Sequence, residues 1–150
     1  MLNKHWLTVL FVLIVTPMVA NFAHAQQATD PLEHVWYNEE QTAKIQVYKG
    51  ADNKFYGKII WLKIPLKDGK PKVDINNPNE ARRNDPIIGL LLLKGFKKAS
   101  GNTYEDGTIY DPKNGKTYSC KITRKDNKLD VRGFVGFSMF GRTTYWTLAE

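Results

Sequence analysis

Thr103-Tyr104-Glu105-Asp106-Gly107-Thr108-Ile109-Tyr110 is followed by Asp111-Pro112-Lys113-Asn114-Gly115 and then by Lys116-Thr117-Tyr118-Ser119-Cys120-Lys121-Ile122-Thr123-Arg124. Two runs rich in Thr, Tyr and Ile flank a cluster of turn formers, which is the pattern of a β-hairpin. Pro112 presets φ, and Asn114-Gly115 tolerates the positive φ that a tight reversal demands. In the second run Tyr118, Cys120 and Ile122 alternate with Ser119 and Lys121, so one face is apolar and the other polar. Cys120, the single cysteine, therefore reads as a small buried hydrophobe, and no intrachain disulfide can form.

The same alternation extends in both directions. Upstream, Val35-Trp36-Tyr37 begins a first strand. In Lys44–Lys49 and the residue before it, Ala43, Ile45 and Val47 share one face. After the turn Gly50–Asn53, Phe55–Lys63 places Phe55, Gly57, Ile59 and Trp61 together. Ile87–Lys97 is a longer apolar run interrupted by Gly89 and Gly95. Downstream, Leu129, Val131 and Gly133 alternate with Asp130 and Arg132, and Arg142–Leu148 sets Thr144, Trp146 and Leu148 on one face. Eight strands with short connections predict an antiparallel meander. Such a meander removes its free edges by closing into an up-and-down barrel, with a two-sheet β-sandwich as the rival. The exception to short connections is Ile64–Pro86, which holds four of the seven prolines. Within it Asn77-Pro78 reads as an N-cap and first position, predicting one helical turn over Pro78–Arg83.

The N-terminus has a different character. Lys4 and His5 precede an almost unbroken apolar run over Leu7–Val15, then Pro17 and the small-x-small site Ala23-His24-Ala25. This is the pattern of a cleavable signal peptide over residues 1–25, and the run is too short to span a bilayer comfortably. No cysteine follows it for lipidation, and no Arg-Arg pair precedes it. The expectation is export to the periplasm or beyond, with cleavage near Ala25, no transmembrane span afterwards, a flexible leader over 26–32 and one domain over 33–150. Cleavage would remove His5 and His24, two of the three histidines, and Lys4, one of the 22 Lys and Arg, leaving them still in excess of the 15 Asp and Glu.

Blocks along the chain resemble those of the domain-of-unknown-function 2147 (DUF2147) family. They are Phe55-Tyr56-Gly57-Lys58-Ile59-Ile60-Trp61, Asp74-Ile75-Asn76-Asn77-Pro78, Pro86-Ile87-Ile88-Gly89-Leu90, Gly107–Pro112 with Gly115–Tyr118, and Arg132–Gly136 with Gly141–Trp146. They run in order from about residue 33 to the end. The resemblance implies an exported protein of Gram-negative bacteria with a lipocalin-like (calycin-like) β-barrel, and it implies no activity. The chain departs from the family's usual Gly-x-Trp opening, since Glu33 and His34 precede Val35-Trp36. The resemblance also implies that an arginine of the last strand packs across the first-strand tryptophan. Trp36 and Arg142 match those positions, so Arg142 is expected to stack on the Trp36 indole and close one barrel end, a contact of about 0.5–2 kcal/mol.

The chemistry on offer is sparse. One His and one Cys beyond residue 25 cannot build a His₃, Cys₄ or Cys₂His₂ zinc site, so no metal and no cofactor is expected. There is no Gly-x-Ser-x-Gly elbow, no phosphate-cradling loop and no dinucleotide fingerprint. A Cys120–His34 dyad would lack an orienting third group. Carboxylates remain, and the long loop gathers them: Asp74, Asn76, Asn77 and Arg83 form a polar cluster, read chiefly as Asx-turn and capping residues and secondarily as a recognition site. In Gly136-Phe137-Ser138-Met139-Phe140-Gly141 three large apolar groups occupy a hairpin turn that should be polar. They are expected to fold down and plug the barrel, or to serve as a gate or contact surface.

The leading expectation is a non-enzymatic periplasmic barrel that binds a small apolar or amphipathic ligand, with Trp61, Tyr118, Trp146, Phe137, Met139 and Phe140 as the ligand-binding candidates. Eight strands leave an interior that side chains just fill, or that holds one small ligand. An apolar pocket of at least about 300 Å³ is the deciding feature. The alternatives are an envelope protein acting through its outer surface on a protein or on anionic lipid, and a hydrolase or isomerase using the Asp74 loop. Lysine clusters at 58–72 and 94–98 read as solvated faces, and no nucleic-acid motif accompanies them.

Overall fold

The computed structural model describes residues 29–149, so the expected signal segment lies outside the described residues. The strands are β1 (Val35–Tyr37), β2 (Ala43–Lys49), β3 (Phe55–Leu62), β4 (Leu66–Lys67), β5 (Lys70–Pro71), β6 (Leu91–Lys98), β7 (Thr103–Asp111), β8 (Lys116–Lys125), β9 (Lys128–Phe134) and β10 (Gly141–Leu148). Eight of them close a barrel in the order β1-β10-β9-β8-β7-β6-β3-β2, and β4 with β5 makes a separate two-stranded ribbon inside the long loop. Every pairing is antiparallel, and β1 bonds both β2 and β10. That double pairing closes the sheet and rules out the sandwich. The hairpin over 103–125 forms as expected, with Asp111 opposite Lys116 and Ile109 opposite Tyr118.

An up-and-down connectivity sorts the loops onto two ends. The chain start and the turns at 50–54, 99–102 and 126–127 lie at one end. The turn at 38–42, the long loop 63–90, the turn at 112–115 and the loop 135–140 lie at the other.

The first end is closed by apolar packing. Leu32, Trp36, Phe96, Tyr104 and Leu129 are all buried there and belong to one core cluster. Trp36 donates its indole N–H to the Leu32 carbonyl at 3.0 Å. Asp30 accepts from the Leu32 N–H at 3.0 Å, from Lys98 at 2.7 Å and from the Tyr104 hydroxyl. Burial alone would raise the Asp30 pKa, but the Lys98 and Tyr104 hydrogen bonds, the Leu32 N–H and the Lys98 charge together hold it below the ordinary value. Desolvation, then the Asp30 hydrogen bond and charge, push the Tyr104 phenol strongly upward. The leader expected over 26–32 is thus corrected over Asp30–Leu32: Leu32 fills the barrel's end, and Asp30 ties the segment down.

Two element boundaries also differ. Ile87–Leu90 is not strand, because Gly89 at φ +97° turns the chain before β6 begins at Leu91. The helical turn is a 3-10 turn over Glu80–Arg82, capped by Asn79 rather than Asn77, with the Asn79 side chain accepting from the Ala81 N–H.

Candidate functional site

The second end is open. A cavity of about 570 Å³ enters the barrel there. Its inner wall is apolar and comes from alternate residues of the strands, including Ile45, Ile59, Leu92, Val131 and Trp146. Inward alternation alone places these side chains. Tyr110, Tyr118 and Thr144 add hydroxyls part-way up, and Glu39, Glu40, Lys63, Lys72, Lys113 and Arg142 ring the opening. The rim charges are partly matched: Lys113 reaches Glu40 at 3.2 Å, and Arg142 lies 3.9 Å from Glu39. Lys63 and Lys72 have no ion-pair partner among the described residues. The arrangement offers an apolar floor and a charged collar. Among the described residues no three His, Cys, Asp or Glu side chains converge as a metal site would require.

The long loop is held against this opening by a buried latch. Asp74 is fully buried, and its two carboxylate oxygens accept from the Tyr110 hydroxyl at 2.9 Å and from the Asn77 side-chain amide at 2.7 Å. Asn77 Oδ1 accepts in turn from the Asn79 N–H, and the Asn77 carbonyl accepts from Arg83 at 3.0 Å. Asn76 donates to the Pro112 and Lys113 carbonyls at 3.0 Å, which ties the loop to the β7–β8 turn. That contact is tight enough to require glycine opposite it: Gly115 sits at φ +71°, and a Cβ there would lie 1.9 Å from the Asn76 carbonyl oxygen. Desolvation, followed by the Asp74 hydrogen bond and charge, pushes the Tyr110 phenol up to about 12. Asp74, Asn76, Asn77 and Arg83 are therefore brought together, but as a loop latch. The Asp74 carboxylate is buried, with both of its oxygens engaged by donors.

The ligand-binding candidates divide. Tyr118 and Trp146 line the cavity. Trp61 does not: it lies on the outer wall, packed edge-on against Tyr37 at 6.1 Å with Lys44 over its ring at 5.6 Å. The reason is an irregularity between Lys44 and Ile45, where Lys44 faces Trp61 but Ile45 faces Ile59. The extra residue on β3 resets the alternation, so Ile60 and Trp61 both face out and Leu62 returns to the cavity. Phe137, Met139 and Phe140 neither line the cavity nor plug the barrel. Each is about three-quarters exposed at the mouth, in a loop containing a 3-10 turn over Ser138–Phe140. Arg132 fixes that loop by donating to the Ser138 carbonyl at 2.7 Å and the Met139 carbonyl at 3.2 Å.

The expected Trp36–Arg142 stack is also overturned. Trp36 sits opposite Leu148 at the closed end, whereas Arg142 sits opposite Gly133 at the mouth. Six residues of strand separate the two, about 20 Å. Arg142 is instead an exposed rim group beside Glu39. Sequence reasoning missed Tyr110, Leu62, Lys63 and Lys72 as cavity or rim residues. The signal for Tyr110 was present, since it directly precedes the Asp111-Pro112 turn that this end of the barrel carries.

A second depression, of about 410 Å³, lies over Glu105–Thr108 and Ser119–Lys121. Its charged side chains Lys121 and Glu105 satisfy each other at 2.8 Å. Cys120 behind it is buried, and burial pushes its thiol up to about 12.

Comparison with known proteins supports the barrel. A solved structure, protein HP1028 from the human pathogen Helicobacter pylori, described as belonging to the lipocalin family, aligns with a TM-score of 0.70 at 23% identity over 81% of this chain and 85% of that one. At that identity the likeness is one of fold. No protein with a curated description matches the chain. Residues 35–148 match the family described as "Uncharacterized protein conserved in bacteria (DUF2147)", and with that span covering nearly all of the barrel, the chain belongs to the DUF2147 family.

Proposed function

We propose that this protein is an exported binder of a small amphipathic molecule, working in the periplasm without catalysing a reaction on it. The observation that carries the reading is the one-ended cavity of about 570 Å³, apolar within and charged at its rim. Its size falls inside the range of about 300–1,000 Å³ for small-molecule sites. The apolar part of the ligand would lie against Ile59, Val131 and Trp146, and its polar head would remain at the collar. Lys63 and Lys72 favour a head carrying negative charge, because the other rim cations already face Glu39 and Glu40. Export is supported by the apolar run and small-x-small site of the first 25 residues.

The test has two arms. Native mass spectrometry of protein recovered from its own periplasm should show a bound mass that is released on denaturation. Titration with the neutral apolar fluorophore N-phenyl-1-naphthylamine should give saturable binding with energy transfer from tryptophan. Trp146→Phe, in the cavity wall, should weaken that binding, while Trp61→Phe on the outer wall should leave the affinity unchanged. Absence of both a bound mass and saturable dye binding would overturn the proposal.

A further inference from the structure

The exposed apolar side chains of this barrel are not spread over it. Of the thirteen large hydrophobics that stand out in solvent among the described residues, all but Tyr145 lie on the mouth-end loops or on strand residues next to them. The closed end exposes none among the described residues. Scattered single apolar groups are ordinary on a soluble surface, but a concentration at one end marks a contact site.

Two of these mouth-end features matter most. On one side is the β9–β10 loop, where Phe137, Met139 and Phe140 are 76%, 73% and 74% exposed. Arg132 grips the backbone of this loop, so these side chains are displayed on a fixed support. On the other side is the β4–β5 ribbon, with Leu66, Lys67 and Lys70 all exposed. The ribbon follows β3 in the chain, and in the barrel order β3 and β6 lie across the mouth from β9 and β10. The mouth-end loops therefore carry two exposed features, one bearing aromatic and thioether groups and one bearing lysines. Lys63, Lys67, Lys70 and Lys72 of the long loop make no ion pair among the described residues, whereas Arg82 and Arg83 of the same loop are matched by Asp85 and Glu80.

From this we infer that the protein docks mouth-first on an anionic phospholipid bilayer. Phe137, Met139 and Phe140 enter the headgroup–acyl boundary, and the unpaired lysines meet the lipid phosphates. Apolar insertion combined with basic attraction is how a peripheral surface holds a membrane. A protein partner would use the same apolar loop, but it would leave the row of unmatched lysines without a purpose. In this pose the cavity faces the acyl layer, so an amphipathic molecule can pass between bilayer and barrel without crossing water. Phe137, Met139, Phe140, Leu66, Lys67 and Lys70 are not part of the cavity wall, so docking stands or falls independently of ligand binding.

The experiment is co-sedimentation of the full-length gene product, recovered from a Gram-negative host, with vesicles of phosphatidylethanolamine and phosphatidylglycerol, and with vesicles of phosphatidylcholine alone. Wild type and variants share one N-terminus, so differences report on the mouth. The expected result is partitioning onto the anionic vesicles that weakens steeply with salt and is at least tenfold poorer on phosphatidylcholine. Lys67→Gln with Lys70→Gln should weaken it by about fivefold per lysine. Phe137→Ser, Met139→Ser and Phe140→Ser together should abolish it. Thermal melting and N-phenyl-1-naphthylamine binding should stay at wild-type values in both variants, which excludes misfolding. Wild type that stays in the supernatant with anionic vesicles, or variants that sediment as wild type does, would overturn the inference. So would an apolar-loop variant that changes only the oligomeric state, since that would assign the loop to a protein contact.

Discussion

Replacing Asp74 with alanine should weaken the barrel severely through the loop it secures. The carboxylate is fully buried and accepts from Tyr110 at 2.9 Å and Asn77 at 2.7 Å. Hydrogen bonds to a charged partner contribute about 1.5–3 kcal/mol each, and removing the acceptor strands both donors. The expected loss is about 3–5 kcal/mol, the middle of the range for leaving two buried donors unsatisfied at about 1–3 kcal/mol each. For a domain of this size that is a fall in Tm of about 10–20 °C. Tyr110→Phe removes one donor and should cost about 1.5–3 kcal/mol in the wild-type background. In the Asp74→Ala background it should cost almost nothing, leaving a coupling energy above about 1 kcal/mol. Equilibrium urea unfolding of the four proteins at neutral pH, followed by tryptophan fluorescence, measures all of these quantities. An Asp74→Ala barrel within about 1 kcal/mol of wild type, or additive single losses, would refute the latch.

Other outcomes follow from the same geometry. Gly115→Ala should destabilise by at least about 2 kcal/mol, since it combines a left-handed φ, costing about 1–2 kcal/mol, with a clash against the Asn76 backbone; a melt unchanged within error would show that the loop yields freely. Arg142→Ala should alter stability by less than about 0.5 kcal/mol, as for an exposed side chain outside any network; a larger loss in urea unfolding would revive its role in closing the barrel. Cys120 should resist 5,5′-dithiobis(2-nitrobenzoate) at pH 8 and react fully in urea, because burial keeps the thiol protonated with its pKa near 12; rapid labelling of the native protein would contradict this. Cys120 and Tyr110 both have folded pKa values raised from ordinary values of 9.0 and 10.0 to about 12. Their contribution to stability is complete below pH 9 and is lost as pH climbs toward 12, so urea midpoints should decline over that window, and midpoints rising there would reverse the sign.

Much of this fold could be read directly from residue order. The Asp111–Gly115 turn and the alternation Tyr118–Cys120–Ile122 are local signals, and local signals specify a hairpin without reference to anything distant. What escaped was whatever depended on register or on the far side of the barrel. Phe55, Gly57, Ile59 and Trp61 alternate in sequence, but the irregularity that turns Trp61 outward exists only where β3 meets β2. Arg142 and Trp36 look equivalent to terminal landmarks until the pairing places them at opposite ends. Leu32 sits in a polar stretch and reads as leader, because nothing nearby announces the gap it fills. The Asp74 cluster was legible as a set of turn-forming residues, yet its partner Tyr110 lies 36 positions away. Phe137, Met139 and Phe140 were conspicuous in the sequence. Their direction was not, since a short apolar loop can fold inward or stand out, and Arg132 decides the matter through backbone carbonyls that carry no sequence signature.

The stopper at the other end, made by Asp30, Leu32 and Trp36, gives the barrel the plumbing of a cul-de-sac. Nothing can flow through it, so a guest must leave by the doorway it used, and departure retraces arrival. A cavity of this kind would hold one molecule of the proposed ligand at a time and impose no direction of transport by itself. Its traffic follows the difference in chemical potential between the places where the mouth opens. For the proposed ligand, direction would have to come from what the mouth faces, which would make the collar and its exposed loops, more than the interior, the part of the molecule that decides where it is taken up and released.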